Sequence, residues 1–255
     1  MKIATWNVNS LKVRLEQLIN WLEKNQPDIL AIQETKTEDH NFPLSQINAV
    51  GYQAIFVGQK TYNGVAIISK IPAKEMTVSF HNDPNEQKRV IAATFNEVRV
   101  INVYVPNGES VTSEKYIYKL NWLKHFSLHI KQQLQHHEKL VILGDFNIAP
   151  EDEDVYDPKI WHGQVLFSDP ERIALKSLIA EGLEDTFRLF PQSPASFTWW
   201  DYRAAAFRRN MGLRIDHILA SHKLAKSCKS CVIDKAQRKL ERPSDHAPVI
   251  AEFLY

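Results

Sequence analysis

The chain has 255 residues, 44% of them hydrophobic and 24% charged, which suits a globular protein with a substantial core. Its formal net charge of +1 gives no general attraction to polyanions, so a nucleic-acid partner would have to be recognised by local charge. Cys228 and Cys231 are its two cysteines, which excludes a disulfide framework, and no run approaches the roughly 18 apolar residues of a membrane span.

Met1–Ser10 reads as a strand rather than a secretory leader, so a cytoplasmic, reducing location is expected. Within it Lys2–Asn9 alternates Ile3, Thr5 and Asn7 against Ala4, Trp6 and Val8, the period of a half-buried strand. Arg14–Asn25 carries Leu15, Leu18, Ile19 and Leu22 on one helical face. Pro27 ends that helix, and Asp28–Glu34 is the next strand. Five short β-rich runs follow, Tyr52–Val57, Gly64–Ser69, Glu75–Phe80, Val90–Asn96 and Val98–Val105, and their turn residues suggest a meander. Ser113–His136 is the longest helix, with Ser113 as N-cap and a spine of Tyr116, Leu120, Leu123, Ile130 and Leu134. Leu140–Phe146 is a strand and Pro170–Glu181 a helix. Strands near Ser196–Trp199, Leu213–Ala220, Cys231–Asp234 and Pro248–Phe253 complete the chain. With no linker or repeat, one α/β domain over residues 1–255 is expected, the meander and the helix-linked strands forming two packed sheets with helices outside.

Several of these strands end in the wrong chemistry for a core. Asn7 shares a face with Ile3, Glu34 with Leu30 and Ile32, and Asp145 and Asn147 with Val141 and Leu143, while Asp216 interrupts Ile215 and Ile218. A buried, unpaired carboxylate costs several kcal/mol, so such groups are usually paired or bind metal. Each alone has a plain structural explanation: a helix cap for Asn7, an Asx turn for Asp145. Four such strand ends together suggest a shared crevice, because α/β folds gather strand ends at one place. Hard oxygen ligands without cysteine point to Mg²⁺ or Mn²⁺ rather than Zn²⁺. His246, in the Pro-bracketed Pro243-Ser244-Asp245-His246-Ala247-Pro248 loop, suits an imidazolium donor to phosphate, with Asp216 as its carboxylate. Tyr104 adds a phenol from another strand end.

At these residues the chain resembles the exonuclease III family of apurinic/apyrimidinic endonucleases. The matching blocks are Thr5-Trp6-Asn7-Val8-Asn9, Gln33-Glu34-Thr35-Lys36, Val103-Tyr104-Val105-Pro106-Asn107-Gly108, Gly144-Asp145-Phe146-Asn147-Ile148-Ala149-Pro150, Trp199-Trp200-Asp201-Tyr202-Arg203, Arg214-Ile215-Asp216 and Ser244-Asp245-His246-Ala247-Pro248. They run in family order along nearly the whole chain. The resemblance implies a four-layered α/β sandwich of DNase I type, with two packed β-sheets flanked by helices. It implies Asn7 and Glu34 at the metal, with Asp145, Asn147, Asp245 and His246 around it. Asp145 would orient or deprotonate the attacking water, Asn147 would hold water or phosphate, and Asp216–His246 would be the acid pair. Tyr104 and Asn107 would contact the scissile phosphate. Implied activities are cleavage 5′ to abasic sites, 3′→5′ exonuclease action on duplex DNA and removal of 3′-blocking groups, by a monomer with no membrane partner. The chain departs from the family pattern at Ser10, where glycine is usual, at His217, where an apolar residue is expected, and at Arg208-Arg209.

The substrate reading rests on the stretch from Phe197 to Asn210, where aromatics interleave with arginines. Trp199 or Phe197 would stack beside an opened nucleotide, while Arg203, Arg208 and Arg209 would hold phosphates. The plain alternative makes one of Trp199 and Trp200 a core residue. Lys12 and Arg14 fit either a solvated helix face or phosphate contacts. The Cys228-X-X-Cys231 pair, six residues after His222, reads as packing thiols rather than a zinc clip. Two rival functions share parts of this pattern. A phospholipid head-group phosphodiesterase of the same fold would keep the metal centre but lack Trp-Trp-Asp-Tyr-Arg. A catalytically inactive DNA-binding protein would have no need of the polar set.

Overall fold

The computed structural model describes residues 1–84 and 87–254. Its strands are, in chain order, β1 (Lys2–Asn7), β2 (Ile29–Gln33), β3 (Gln53–Val57), β4 (Val65–Ser69), β5 (Lys74–Val78) and β6 (Val90–Phe95). They continue with β7 (Val98–Tyr104), β8 (Leu140–Asp145), β9 (Leu183–Asp185), β10 (Asp216–Ser221), β11 (Cys228–Ile233) and β12 (Val249–Phe253). The main helices are α1 (Leu11–Asn25), α2 (Leu44–Ala49), α3 (Glu114–His136), α4 (Pro158–Trp161) and α5 (Asp169–Ala180). Among the described residues no helix is long and apolar enough to cross a membrane.

The strands form two six-stranded mixed sheets, ordered β11-β12-β1-β2-β4-β3 and β5-β6-β7-β8-β10-β9. Alternation along each strand divides its side chains between two apolar layers. Ile3, Ile29, Ala31, Ile67, Val100, Val141, Leu143 and Ile218 meet between the sheets. Ala4, Trp6, Leu30 and Ile32 face the other way, onto Leu18, Trp21 and Leu22 of α1. On the far side Ile101, Val103, Leu140 and Ile142 receive Trp122, Leu123, Phe126 and Ile130 of α3, with Leu175 and Leu178 of α5. The result is helix, sheet, sheet, helix. The parallel pairs β1–β2 and β7–β8 are joined through α1 and α3, as parallel strands require. Ser113 caps α3 by accepting from Tyr116 N at 3.1 Å, and Ser168 and Glu171 form a capping box on α5.

Several expectations need correction. The five-run meander is not one unit: β3 and β4 pair in the first sheet and β5, β6 and β7 in the second. A chain whose apolar layers lie on both faces of both sheets cannot show by local pattern which sheet a strand joins. Ser196–Trp199 is not a strand, since Trp199 makes only isolated bridges to Leu213 and His246. The strand expected from Leu213 begins at Asp216. On α3 the buried face is Tyr116, Lys119, Trp122, Leu123, Phe126 and Ile130, with Leu120 and Leu134 only half-buried. Arg14 is neither solvated nor free for phosphate. It is 9% exposed and donates to Asn9 O, Tyr202 Oη and Pro243 O at 2.8 to 3.0 Å. Cys228 and Cys231 are buried in the intersheet core, where burial pushes the Cys231 thiol up to about 12.

Candidate active site

Topology brings the polar strand ends to one edge of the intersheet gap. The parallel pairs finish in register, Asn7 beside Gln33 and Tyr104 beside Asp145. The antiparallel neighbours begin where these end: Asp216 opens β10 opposite Asp145, and Val249 opens β12 opposite Thr5, three residues after His246. Gly144 allows the approach of β8 to β7, because a Cβ there would lie 1.9 Å from Val103 O.

The chain turns sharply as it leaves these strands. Asn9, Glu34, Lys36 and Asn147 all have left-handed φ, of 41°, 52°, 51° and 51°. Asparagine tolerates that region, whereas for Glu34 and Lys36 it costs about 1 kcal/mol each. At Glu34 the turn also overrides alternation. Leu30 and Ile32 face the helices, so a straight strand would carry Glu34 outward with them. The left-handed turn instead brings its carboxylate to Asn7. The Asx turn expected at Asp145 is present, Asn147 N on Asp145 Oδ1 at 2.9 Å, whereas Asn7 does not cap α1, whose N-cap is Ser10, and makes an Asx turn of its own with Asn9 N on Oδ1 at 2.9 Å. Local turn and shared site prove to be the same construction.

Asn7 bridges the two carboxylates, its Nδ2 donating to Glu34 Oε1 and Asp145 Oδ2, each at 2.8 Å. Asp145 therefore has one oxygen on Asn7 and the other on Asn147 N. His246 Nδ1 lies 2.9 and 3.1 Å from the two oxygens of Asp216, and its Nε2 lies 3.8 Å from Asp145 Oδ2. That gap is too long for a hydrogen bond, but one oxygen atom could sit ~2.8 Å from both. Asn147 Nδ2 donates to Val105 O at 2.9 Å, and Asn107 Nδ2 to Asn147 Oδ1 at 3.1 Å. Asp245 is turned aside, taking Asn9 Nδ2 at 2.9 Å and Trp199 Nε1 at 3.0 Å.

Charge is crowded here. Burial raises the Asp145 carboxyl to about 7; the nearby Asp216 and Glu34 charges add to this and His246 opposes it. Burial lowers the His246 imidazole, but Asp216 and then Asp145 outweigh it and lift the group to about 10. The proton thus rests on the imidazole, between two carboxylates. Burial, followed by Glu34 and Asp145, holds the Tyr104 phenol well above its usual value, so it is a donor. Ligand atoms of Glu34, Asp145 and His246 lie within 4.8 Å of one another. Two carboxylates without sulfur at that spacing fit a divalent cation, which would offset the Asp216 and Glu34 repulsion that adds to the effect of burial on Asp145, and the imidazole would join them only on giving up its proton.

Other neighbours had weaker signals in the sequence. Lys36 pairs with Glu34 at 3.0 Å and donates to Asn9 Oδ1 at 2.5 Å. Arg89 stacks on the Tyr104 ring, 4.8 Å from its centroid, and its Nη1 donates to Tyr104 O. Both line a cleft of 670 Å³ that opens beside Glu34, Tyr104 and Asn107. Gln33, Thr5 and Asn102 tie the sheets together below the site, Gln33 Nε2 donating at 2.9 and 2.7 Å. Alternation marks Thr5 as sharing the face of Ile3 and Asn7, but nothing local marks its partners.

The aromatic–arginine segment separates into core and surface. Phe197 and Trp200 are 1% and 0% exposed, which removes Phe197 as a stacking residue, whereas Trp199 is half-buried beside Asp245. Arg203 is bound at both ends to Asp201, at 3.0 and 2.8 Å. Arg208 and Arg209 are exposed and have no acid partner among the described residues.

Residues 4–246 match the Endonuclease/Exonuclease/phosphatase family. Exodeoxyribonuclease III of Haemophilus influenzae is 39% identical over 266 residues, covering 99% of this chain and 100% of that protein. Among solved structures, the 3′ phosphatase NExo from Neisseria, bound to a product DNA hairpin, superposes with a TM-score of 0.98 at 48% identity, over 100% of both chains. An AP endonuclease from Archaeoglobus fulgidus gives a TM-score of 0.96 at 38% identity, again over 100% of both chains. With this fold, these strand-end groups and these relatives, the chain belongs to the exonuclease III and AP endonuclease family of DNA repair nucleases.

Proposed function

We propose that residues 1–255 form one Mg²⁺-dependent domain that hydrolyses phosphate esters in duplex DNA, acting at 3′ ends as exonuclease and end-cleaning phosphatase and 5′ to abasic sites as endonuclease. The observation that carries this reading is the meeting of Glu34, Asp145, Asn147 and the Asp216–His246 pair at one end of both sheets. The 3′ phosphatase and the AP endonuclease among its relatives support the two arms of the substrate range. A phospholipid head-group substrate has no comparable support.

Glu34 and Asp145 would hold the cation, with Asn7, Asn147, Asp245 and His246 around it, and a bound cation would supply Lewis acidity at a phosphate oxygen. Asp145, fixed by Asn7 and the Asn147 main chain, orients the water and takes its proton. His246 presents Nε2–H to the phosphate, its other nitrogen held by Asp216. Asn107, Asn147 and Tyr104 donate to the remaining oxygens. Trp199 packs against the DNA beside the opened nucleotide, and Arg208 and Arg209 hold backbone phosphates. Arg203 contributes only when it exchanges Asp201 for phosphate.

Two labelled duplexes test the proposal, one with a single abasic site and one with a 3′-phosphate, each incubated with Mg²⁺ or with EDTA. Mg²⁺-dependent cleavage or phosphate release is expected on both. Turnover of a soluble inositol phosphate with neither duplex attacked would sink it.

A further inference from the structure

One buried charge has no part in the chemistry described so far. Lys119 lies on the inner face of α3 among Tyr116, Trp122 and Leu123, 0% exposed, where helical periodicity calls for an apolar residue. Burial pushes its ammonium pKa down, and Glu171, also 0% exposed, is the counterion that opposes this. Lysine has three N–H donors, and all three are used here. One goes to Glu171 Oε1, one to Asn147 O at 2.7 Å and one to Asn107 O at 3.1 Å. The last two are main-chain carbonyls of the two loops that present Asn107 and Asn147, whose side chains are themselves joined at 3.1 Å.

We propose that Lys119 is a positioning residue for phosphate-ester hydrolysis, fixing Asn107 and Asn147 relative to each other from beneath. The surroundings are built for this. Glu171 is anchored in turn, accepting from Leu166 N at 3.0 Å, Ser168 N at 3.1 Å and Ser168 Oγ. Gly108, at φ +94°, lets the Asn107 loop close over the lysine stem, since a Cβ there would come within 3.2 Å of Lys119 Cδ. Asn147, at φ 51°, needs its carbonyl held, because left-handed asparagine returns readily to extended backbone when released. His217 Nε2, 2.8 Å from Ile148 O, steadies the next carbonyl. A packing role alone would be met by methionine without the cost of a buried charge.

The inference rests on the proposed roles of Asn107 and Asn147, and the experiment separates the two. The variants are Lys119→Met/Glu171→Met, which removes both charges together, Asn147→Ala, and their combination. Lys119→Gln, whose amide still donates to Glu171, is run in parallel so that the result does not depend on one variant folding. Melting temperature, kcat and KM are measured on a duplex with a 3′-phosphate in Mg²⁺. The charge-free pair should fold, lower kcat about ten-fold or more with KM nearly unchanged, and add less than about two-fold to the defect of Asn147→Ala, as residues acting through one another do. A loss of folded fraction would instead multiply with Asn147→Ala, and that result overturns the inference. If Asn147→Ala itself leaves kcat unchanged, the assignment of the site fails, whatever Lys119 does.

Discussion

Asp145 is buried and takes hydrogen bonds from Asn7 and Asn147, whereas Arg208 and Arg209 stand exposed with no acid within reach among the described residues. The strand-end centre and the 199–210 segment adjoin through Trp199, which bridges to His246 and donates Nε1 to Asp245, and through Trp200 N on Asp245 O, yet they are constrained in different ways. At the centre Asn7, Glu34 and Asp145 are each tied to at least two neighbours and His246 is held by Asp216, so small errors of position remove their chemistry. In the segment Arg208 and Arg209 are exposed and need only present charge, while Trp199 need only present a ring. Substitutions should therefore act steeply on rate at the centre and shallowly on binding in the segment.

The steepest expected losses fall on Asp145 and His246. Asp145→Asn should lower kcat by about 10²–10⁴-fold, the usual worth of a general base, while DNA affinity stays near the parent's. His246→Asn should cost about 10²–10³-fold, the usual worth of a single transition-state donor, again in kcat. Because His246 and Asp216 share one proton, Asp216→Asn combined with His246→Asn should be little worse than either alone. Gel-shift affinities and single-turnover rates measured together decide this. If affinity collapses with rate, the centre holds structure rather than chemistry, and the contrast with the segment disappears.

Glu34→Ala should differ in kind. Its carboxylate is 17% exposed and shared between Asn7 and Lys36, so its loss weakens cation binding before it disturbs geometry. Excess Mn²⁺ should recover much of the Glu34→Ala activity and none of the Asp145→Asn activity. Equal recovery would mean that one role is misassigned. EDTA should abolish turnover in the parent, and added Mg²⁺ should restore it.

The same contrast explains what could be read in the residues. Asn7, Asp145 and Asp216 betray themselves because polar groups on the apolar faces of Ile3, Val141 and Ile218 need a reason to be there. The division of strands between two sheets was hidden, since β4 and β6 are both buried and apolar and nothing local assigns either to a sheet. Glu34 is marked by its sequence block, whereas strand alternation points it outward, and only its own left-handed backbone after β2 turns it in. Nothing local marks Lys119, because a lysine in a helix is ordinarily solvated and its acceptors lie 12, 28 and 52 residues away from it in sequence. In the 197–210 stretch, composition points to DNA contact but cannot distinguish Phe197 in the core from Trp199 at the edge.

Within that segment Trp199 should show the larger effect. Its indole is anchored to Asp245 and its ring half-buried, so it sits where the strand-end centre meets the DNA surface. Trp199→Ala should lower cleavage at an abasic site about ten-fold, the scale of one lost stacking contact, and affect release of a 3′-phosphate less. Parallel loss of both activities with a lower melting temperature would make Trp199 a packing residue.

The smallest effect is expected from Arg208 and Arg209, and it should appear in salt dependence rather than rate. Each phosphate contact releases condensed counterions, so each lost contact flattens log K against log salt by up to about one unit. Arg208→Ala/Arg209→Ala should weaken binding to any duplex, abasic or intact, while kcat at saturating DNA and the melting temperature remain the parent's. Arg203→Ala is the internal control. Its guanidinium is already bound by the Asp201 carboxylate, so its removal should change the slope less than loss of either free arginine. Titrations of one duplex between about 50 and 200 mM salt, the range over which such contacts separate, compare all three. An unchanged slope in the double variant would return the segment to a solvated connection. A slope change confined to Arg203→Ala would mean that DNA displaces Asp201, and that Arg203 rather than the neighbouring pair grips the backbone.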